Sequence, residues 1–211
     1  MLSSNQRKLI SHLQKKKYRL EKNLFVAEGK KVVNELINSD WPFKNLFSTE
    51  EDFHPDSELL TSDEMKKISN FKTHSQALGV FLLPEPQKIL SEPITIGVDG
   101  ISDPGNLGTI IRLCDWFGIS ELICSKNTVD CFNAKVIQAS MGSIARVKCH
   151  YVTDLGEVLT KMQKPIYGAT IDGDSIYSTK LPNKASYIFG SESHGILSLI
   201  HISEPTRLHV I

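Results

Sequence analysis

The sequence predicts an α/β fold built around a parallel sheet and preceded by a small α/β unit. From Ile94 onward, short apolar runs typical of buried strands alternate with helical segments, which is the pattern of a parallel sheet covered by helices. Before that point the alternation is less regular, and Pro84-Glu85-Pro86 interrupts the chain as a linker would. With 211 residues, 40% of them hydrophobic and 23% charged, the chain has room for one or two globular domains.

The first unit, residues 1–86, is predicted to alternate helices with short strands. In the helix expected at Lys30–Asn38, the apolar residues are Val32, Val33, Leu36 and Ile37, which share one face at helical spacing. We expect helices at Gln6–Leu20, Lys30–Asn38 and Ser62–Ile68, and strands at Leu24–Ala27, Asn45–Ser48 and Val80–Leu83.

The second unit, residues 93–196, is expected to hold the parallel sheet. The predicted strands are Ile94–Val98, Glu121–Cys124, Ala145–His150, Pro165–Thr170 and Ser186–Phe189. Helices are predicted between most of them, at Leu107–Phe117, Asn133–Ala139 and Leu155–Met162. Ligands of such folds bind just beyond the carboxyl ends of the strands.

The formal net charge of zero conceals a basic N-terminal segment. Residues 1–31 contain nine Lys or Arg and two Glu, a formal charge of +7. Such a segment is typical of a protein that binds a polyanion through its phosphates. It is equally typical of a solvated, charged helix face, so charge alone leaves both interpretations open.

The cysteines and the apolar runs exclude several classes of protein. Cys114, Cys124, Cys131 and Cys149 form no C-x-x-C pair, so neither a zinc site nor a disulfide framework is indicated. No apolar run is long enough to cross a membrane, and the N-terminal stretch lacks the apolar core of a secretory signal. We therefore expect a reduced, cytoplasmic protein.

The segment Asp103–Arg112, DPGNLGTIIR, lies between a predicted strand and a predicted helix. Pro104-Gly105 favours a turn, and Asn106 stands where a helix N-cap is expected. Arg112 lies off the apolar stripe of the helix, one turn beyond Gly108, and helical side chains lean toward the N-terminus. The stripe consists of Leu107, Ile110, Ile111, Cys114 and Phe117.

A second polar segment, Gly190–Gly195 or GSESHG, follows the last predicted strand. Gly190 would let a ligand approach the backbone closely, and Gly195 permits a sharp turn; Glu192 places a carboxylate beside that backbone. The chain has no G-x-G-x-x-G after a strand, no P-loop and no G-x-S-x-G, which argues against dinucleotide, P-loop and serine-hydrolase sites.

These two polar segments belong to residues 103–119, DPGNLGTIIRLCDWFGI, and residues 188–196, IFGSESHGI. Together they closely resemble motifs 1 and 2 of the SpoU (TrmH-like) RNA ribose 2′-O-methyltransferases. These enzymes form part of the SPOUT superfamily and use S-adenosylmethionine. The segment VIQASMGSIARV at 136–147 resembles the stretch between those motifs. Residues 15–36, KKKYRLEKNLFVAEGKKVVNEL, resemble the family's RNA substrate-binding domain. The resemblance therefore implies a SPOUT-type sheet and transfer of a methyl group to RNA.

The resemblance also implies roles for individual residues. Arg112 matches the motif 1 arginine that engages the target ribose and phosphate, and Asn106 matches the asparagine that shapes the active site. Glu192 lies in the motif 2 loop and completes the expected catalytic set. Gly190 and Gly195 are expected to contact the cofactor, with Thr170 as a weaker candidate.

RNA is the partner that the resemblance implies, with ribosomal RNA favoured over tRNA. The residues expected to bind its phosphates are Lys15, Lys16, Lys17, Arg19 and Lys30. The chemistry needs no metal, and a homodimer is expected. Which nucleotide is modified does not follow from the sequence.

The chain departs from the family after Ile196. The family's third motif, which completes a trefoil knot and the cofactor pocket, has no match in this chain. Instead, residues 197–207, LSLIHISEPTR, resemble a translated sequencing-library adapter. We therefore expect Leu197–Ile211 to be a non-native tail, and the chain to be C-terminally truncated, with an incomplete knot and impaired activity.

Two alternatives of different classes remain open. An RNA-binding module that has lost catalysis would keep only the basic N-terminal unit. Another SPOUT enzyme would modify a base rather than a ribose. Methyl transfer from labelled cofactor separates the first alternative from the enzyme, and mapping of the modified nucleotide separates the second.

Overall fold

A computed structural model of the chain describes residues 2–71, 73, 75–171 and 173–196, together with the backbone of 206–209. The described residues form two compact units. Unit 1 comprises Met1–Pro86 and Asp130–Ala145, and unit 2 comprises Gln87–Val129 and Arg146–Ile211. No helix in the described part of the chain has the length and apolarity needed to cross a membrane.

Unit 1 is built on a four-stranded sheet with the order β1-β4-β2-β3. β4 pairs antiparallel with β1 and β2, whereas β3 pairs parallel with β2. The strands are β1 Leu24–Glu28, β2 Phe43–Ser48, β3 Ser57–Leu59 and β4 Ala77–Leu82. The helices are α1 Ser4–His12, α2 Lys16–Lys22, α3 Lys30–Asn38, α4 Ser62–Lys66 and α6 Ala134–Ser140.

The predicted helix at Gln6–Leu20 is wrong as a single element, because α1 ends at His12 and α2 begins at Lys16. The carbonyl oxygens of Leu13 and Gln14 both accept hydrogen bonds from Nη1 of Arg19, each at 2.9 Å. In a continuous helix those carbonyls would accept from backbone N–H groups four residues further on. The arginine thus stabilises the turn that separates the two helices.

Unit 1 also includes α6, which was predicted from the sequence to belong to the second unit. α6 packs against β1, with Val136 and Ile137 fully buried. Just before this helix, the ring of Phe132 lies 4.8 Å from that of Phe25 on β1. The segment belongs to unit 1 because its apolar side chains complete that core.

Unit 2 is built on a seven-stranded sheet with the order β7-β6-β5-β10-β8-β11-β9. Every strand pair in it is parallel, which confirms the predicted fold class. The strands are β5 Ile94–Asp99, β6 Glu121–Ser125, β7 Lys148–Val152, β8 Ile166–Thr170, β9 Asp174–Ser175, β10 Ala185–Gly190 and β11 Thr206–His209. The helices are α5 Pro104–Trp116 and α7 Leu155–Lys161.

Helices cover the central strands of the unit 2 sheet. α7 buries Leu155 and Leu159 against Ile123 and Ile188. α5 contributes the buried side chains Leu107, Ile111 and Cys114.

The strand predicted at Ala145–His150 begins later, because Ser143–Ala145 forms a turn of 3₁₀ helix and β7 runs from Lys148. The predicted non-native tail, Leu197–Ile211, lies outside the described residues except for the backbone of β11, which pairs with β8 and β9.

Candidate active site

The candidate site lies beyond the carboxyl ends of three neighbouring strands, β5, β10 and β8. Because these strands are adjacent and parallel, the segments that follow them meet at one edge of the sheet. β5 leads into Asp103–Asn106, β10 ends at Gly190, and β8 ends at Thr170.

The N-terminus of α5 differs from the sequence prediction by three residues. The N-cap is Asp103, whose Oδ1 accepts a hydrogen bond from the backbone N–H of Asn106 at 2.9 Å. Pro104 fits the first helical position, where its missing N–H has no consequence. The assignment of Asn106 as N-cap is therefore wrong, and its side-chain amide is left available for another contact.

The loop after β10 is a tight turn closed by its own backbone. Ser191 and Gly195 exchange backbone hydrogen bonds of 3.0 and 2.9 Å, and Gly195 has a φ of +64°. A Cβ at Gly190 would lie 2.1 Å from the carbonyl carbon and oxygen of Gly195. The position that a side chain at Gly190 would fill is thus occupied by the loop itself, so the loop requires a glycine there, whereas the sequence analysis attributed it to the close approach of a ligand.

One hydrogen bond joins the two sequence motifs. Nδ2 of Asn106 donates to Oε1 of Glu192 at 2.7 Å, across 86 residues of sequence. Both residues are exposed, so their polar groups can be reached by a ligand. The structure therefore brings together two of the three residues expected to be catalytic.

A cavity of about 540 Å³ lies beside this pair, within the size range of sites for drug-sized ligands. Asn106, Glu192 and Gly190 are on its wall. Sequence reasoning did not identify most of the other lining residues, of which Phe117 and Phe189 are exposed. These residues are Ile96, Ile101, Ser102, Asp103, Thr109, Ile110, Leu113, Cys114, Phe117, Ile119, Phe189, Ser191 and Ser193.

The apolar stripe of α5 is the sequence feature that indicated this cavity. Leu107 and Ile111 are buried beneath the helix, whereas Ile110, Cys114 and Phe117 line the cavity. The apolar stripe is thus wider than packing against the core requires. This extra width was the sequence feature that indicated an uncovered apolar side of α5.

Cys114 is the one cysteine on the cavity wall among the described residues. Burial raises the pKa of its thiol to about 11. A thiol with that pKa stays protonated at neutral pH, and the thiolate is the nucleophilic form. Cys114 is therefore part of the wall and not a nucleophile.

Arg112 is exposed and is not among the residues that line the cavity. No hydrogen bond or ion pair joins its guanidinium to another residue in the described ranges. It lies one turn before Trp116, whose side chain is 85% exposed. The structure thus places Arg112 on an exposed side of α5, outside the cavity that Asn106 and Glu192 line.

Thr170 ends β8, the neighbour of β10, and is likewise not on the cavity wall. Its Oγ1 is buried and has no hydrogen-bond partner among the described residues. Buried hydroxyls are normally paired, so this atom suits a polar ligand.

The residues expected to bind RNA lie in unit 1 and divide into four exposed lysines and one buried arginine. Lys15, Lys16, Lys17 and Lys30 are exposed. Nζ of Lys30 lies 2.5 Å from Oε2 of Glu50, so this lysine already has an acidic partner.

Arg19 is withdrawn from the RNA-binding set, because only 4% of its side chain is exposed. Its Nε and Nη2 donate to Oδ2 of Asp130 at 3.1 and 2.5 Å, and its Nη1 donates to the two carbonyls of the α1–α2 turn. A buried cation with these partners has a structural role. Nothing local distinguishes Arg19 from its basic neighbours, because its partner lies 111 residues away in the chain.

Comparison with known proteins places this chain in one class. Residues 93–207 match the SpoU rRNA Methylase family, and residues 5–79 match the MRM3-like substrate binding domain. The chain belongs to the SpoU rRNA Methylase family, since the first match covers more than half of it.

Individual relatives are consistent with this membership. The chain is 29% identical over 196 residues to the 23S rRNA (guanosine(2553)-2′-O)-methyltransferase RlmP of Bacillus subtilis, covering 87% of this chain and 78% of that protein. It spans 38% of the length of the mitochondrial rRNA methyltransferase 3 of Xenopus laevis. It spans 60% of the length of the 23S rRNA (guanosine-2′-O-)-methyltransferase RlmB of Neisseria meningitidis.

Two solved structures share the fold. A protein from Porphyromonas gingivalis assigned to the TrmH family of RNA methyltransferases is 36% identical, with a TM-score of 0.87 and coverage of 100% of this chain and 89% of that one. The SpoU methyltransferase AviRb from Streptomyces viridochromogenes, solved with AdoMet, has a TM-score of 0.83 at 16% identity, with coverage of 99% and 89%.

Proposed function

We propose that this protein transfers a methyl group from S-adenosylmethionine to a ribose 2′-hydroxyl of ribosomal RNA. The observation that carries the proposal is the 2.7 Å hydrogen bond between Asn106 and Glu192, which joins the two family motifs beside a cavity. Membership of the SpoU rRNA Methylase family supports it, as does similarity to a 23S rRNA 2′-O-methyltransferase.

The residues present fit S-adenosylmethionine. Thr170, whose buried hydroxyl has no hydrogen-bond partner among the described residues, ends β8, and a glycine-bounded loop from Gly190 to Gly195 begins at the end of the neighbouring β10. We assign Thr170, Gly190 and Gly195 to cofactor binding. S-adenosylmethionine, when bound, supplies an electrophilic methyl group on a sulfonium.

The protein's own residues orient the acceptor hydroxyl and stabilise its charge. A ribose hydroxyl is a weak nucleophile, so it must be held in line with the methyl group and must lose its proton. Asn106 holds the Glu192 carboxylate, whose second oxygen can accept a hydrogen bond from the ribose 2′-hydroxyl and take its proton. The guanidinium of Arg112 can hold a phosphate through two hydrogen bonds while stabilising negative charge on the 2′-oxygen.

The exposed face of α5 supports a homodimer. Leu113, Trp116 and Phe117 are 52%, 85% and 72% exposed on this helix, and large apolar side chains grouped at a surface mark interaction sites. A second copy on this face would cover them beside Arg112. Sedimentation analysis should give the mass of two chains, and a monomer at all concentrations would contradict the dimer.

The cellular compartment and the need for a metal ion follow from the proposed reaction. Ribosomal RNA as the substrate implies the cytoplasm in a bacterial cell. The transfer needs no metal, since arginine and backbone groups supply the electrostatic stabilisation.

Substitution of Arg112 tests the proposed reaction. Arg112→Ala should lower the rate of methyl transfer from labelled S-adenosylmethionine to ribosomal RNA by roughly 10²–10³-fold, the usual cost of removing one transition-state charge partner. The thermal melting curve should be unchanged, because Arg112 is exposed.

Arg146→Ala is the matched control for Arg112→Ala. Arg146 is a half-exposed arginine of the same unit whose Nη2 lies 2.8 Å from Oδ2 of Asp115. Loss of such a surface pair costs about 0–1 kcal/mol, so transfer should stay near normal. Equal rates for Arg112→Ala and Arg146→Ala would refute the role of Arg112.

A further inference from the structure

The turn between α1 and α2 carries a stacked pair of aromatic rings. His12 ends α1 and Tyr18 lies in the first turn of α2; their ring centroids are 4.7 Å apart and their planes differ by 18°. Both side chains are half-buried, and neither belongs to the core cluster of unit 1. The two rings therefore stack on each other at the surface of this unit.

Exposed cations lie in the same turn as the stacked rings. Lys15 and Lys17 lie between His12 and Tyr18 in the sequence, and both are exposed. The pKa of the nearby Glu21 carboxyl is held below its ordinary value, chiefly by Lys22 and to a lesser degree by Lys17 and His12. One carboxylate thus lies among several basic groups, so the surface around the rings is positively charged.

The turn beneath the rings is firmly held. The buried guanidinium of Arg19 donates to the carbonyls of Leu13 and Gln14, and Leu13 is 1% exposed. The backbone N–H of Lys15 donates to the carbonyl of His12 at 3.0 Å. The rings are therefore positioned before any ligand arrives, which lowers the entropic cost of binding.

We propose that the His12–Tyr18 stack is a platform for an unpaired base of the RNA substrate, with the adjoining phosphates held by Lys15 and Lys17. This inference rests on the proposed function, because it takes RNA to be the ligand. Unpaired bases stack on aromatic side chains while basic side chains follow the backbone. A base in a duplex has both faces covered by its neighbours, so the platform favours unpaired RNA.

Binding measurements with the full chain test the platform. The probe is a short single-stranded oligoribonucleotide containing 2-aminopurine, compared with the same strand in a duplex. Tyr18→Leu should weaken single-strand binding about fivefold to a hundredfold, the loss expected for one stacked base, whereas Tyr18→Phe should stay within about twofold of wild type. Duplex binding should change little in either variant, and 2-aminopurine fluorescence should be quenched by wild type and Tyr18→Phe only.

Lysine substitutions separate stacking from charge. Lys17→Ala should weaken both RNA forms and reduce the dependence of binding on salt. Lys44→Ala removes an exposed lysine of β2 and should change neither the affinity for RNA nor its dependence on salt. An equal loss of RNA affinity in Lys17→Ala and Lys44→Ala would contradict the proposal that Lys17 holds a phosphate beside the platform.

A second readout does not depend on the folding of any variant. Ultraviolet cross-linking of the wild-type chain to the single strand should attach a nucleotide at His12 or Tyr18, and cross-links confined to other peptides would overturn the platform. Loss of the platform alone leaves methyl transfer to RNA intact. If the wild-type chain neither binds RNA nor transfers a methyl group, the proposed function fails as well.

Discussion

The side chain of Asn106 is held where the two motif segments meet. Its backbone N–H is capped by Asp103 and its amide donates to Glu192. The second bond lies at an exposed position, where a hydrogen bond contributes only about 0.5–1.5 kcal/mol to stability. Its importance is therefore geometric, since it fixes the carboxylate of Glu192 relative to α5.

Arg19 and Asp130 form the most buried ion pair among the described residues of unit 1, with 4% and 15% of their side chains exposed. Asp130→Ala would leave the buried guanidinium of Arg19 without its carboxylate, and breaking a buried pair in this way costs about 3–5 kcal/mol. We expect the free energy of unfolding, measured by urea titration, to fall by that amount.

Lys30→Ala is the matched control, because its pair with Glu50 is 48% and 34% exposed. Loss of this exposed pair should cost about 0–1 kcal/mol. A loss in Asp130→Ala no larger than in Lys30→Ala would show that Arg19 does not depend on Asp130.

At the scale of elements, the loop after β10 depends on the absence of a side chain at Gly190. Gly190→Ala would place a Cβ 2.1 Å from the backbone of Gly195, so the loop must shift. We expect the free energy of unfolding to fall by about 1–3 kcal/mol, the usual cost of overpacking, and the affinity for S-adenosylmethionine, measured by calorimetry, to fall as the loop shifts.

Gly97→Ala provides the comparison within the same sheet. A Cβ there would lie 3.4 Å from side-chain atoms of Leu155 and Leu159, which is ordinary contact. This variant should bind the cofactor almost as well as wild type. Unchanged affinity in Gly190→Ala would contradict the role of the closed loop.

Elements with a regular local pattern could be predicted from the sequence. The helix Lys30–Asn38 has the predicted bounds, because its apolar residues repeat at helical spacing. The break between α1 and α2 could not be predicted, since it depends on a buried arginine whose carboxylate partner lies far along the chain. The short strands β3 and β9 have too few residues to show an alternating pattern.

At the scale of the whole molecule, the parallel class of the second sheet was predictable but the order of its strands was not. Strand order depends on long-range pairings such as β10 between β5 and β8. The placement of α6 in unit 1 has the same cause, because its buried side chains pack against β1. The motif segments were recognisable from residue types, whereas their meeting through Asn106 and Glu192 needed the fold.

The position of the transferred methyl group tests the central claim most directly. A methyl group on a ribose 2′-oxygen removes the hydroxyl that alkali needs to cleave the neighbouring phosphodiester. After transfer from labelled S-adenosylmethionine to ribosomal RNA and alkaline hydrolysis, the label should therefore appear in a dinucleotide. Label in mononucleotides would indicate base methylation and would contradict the account.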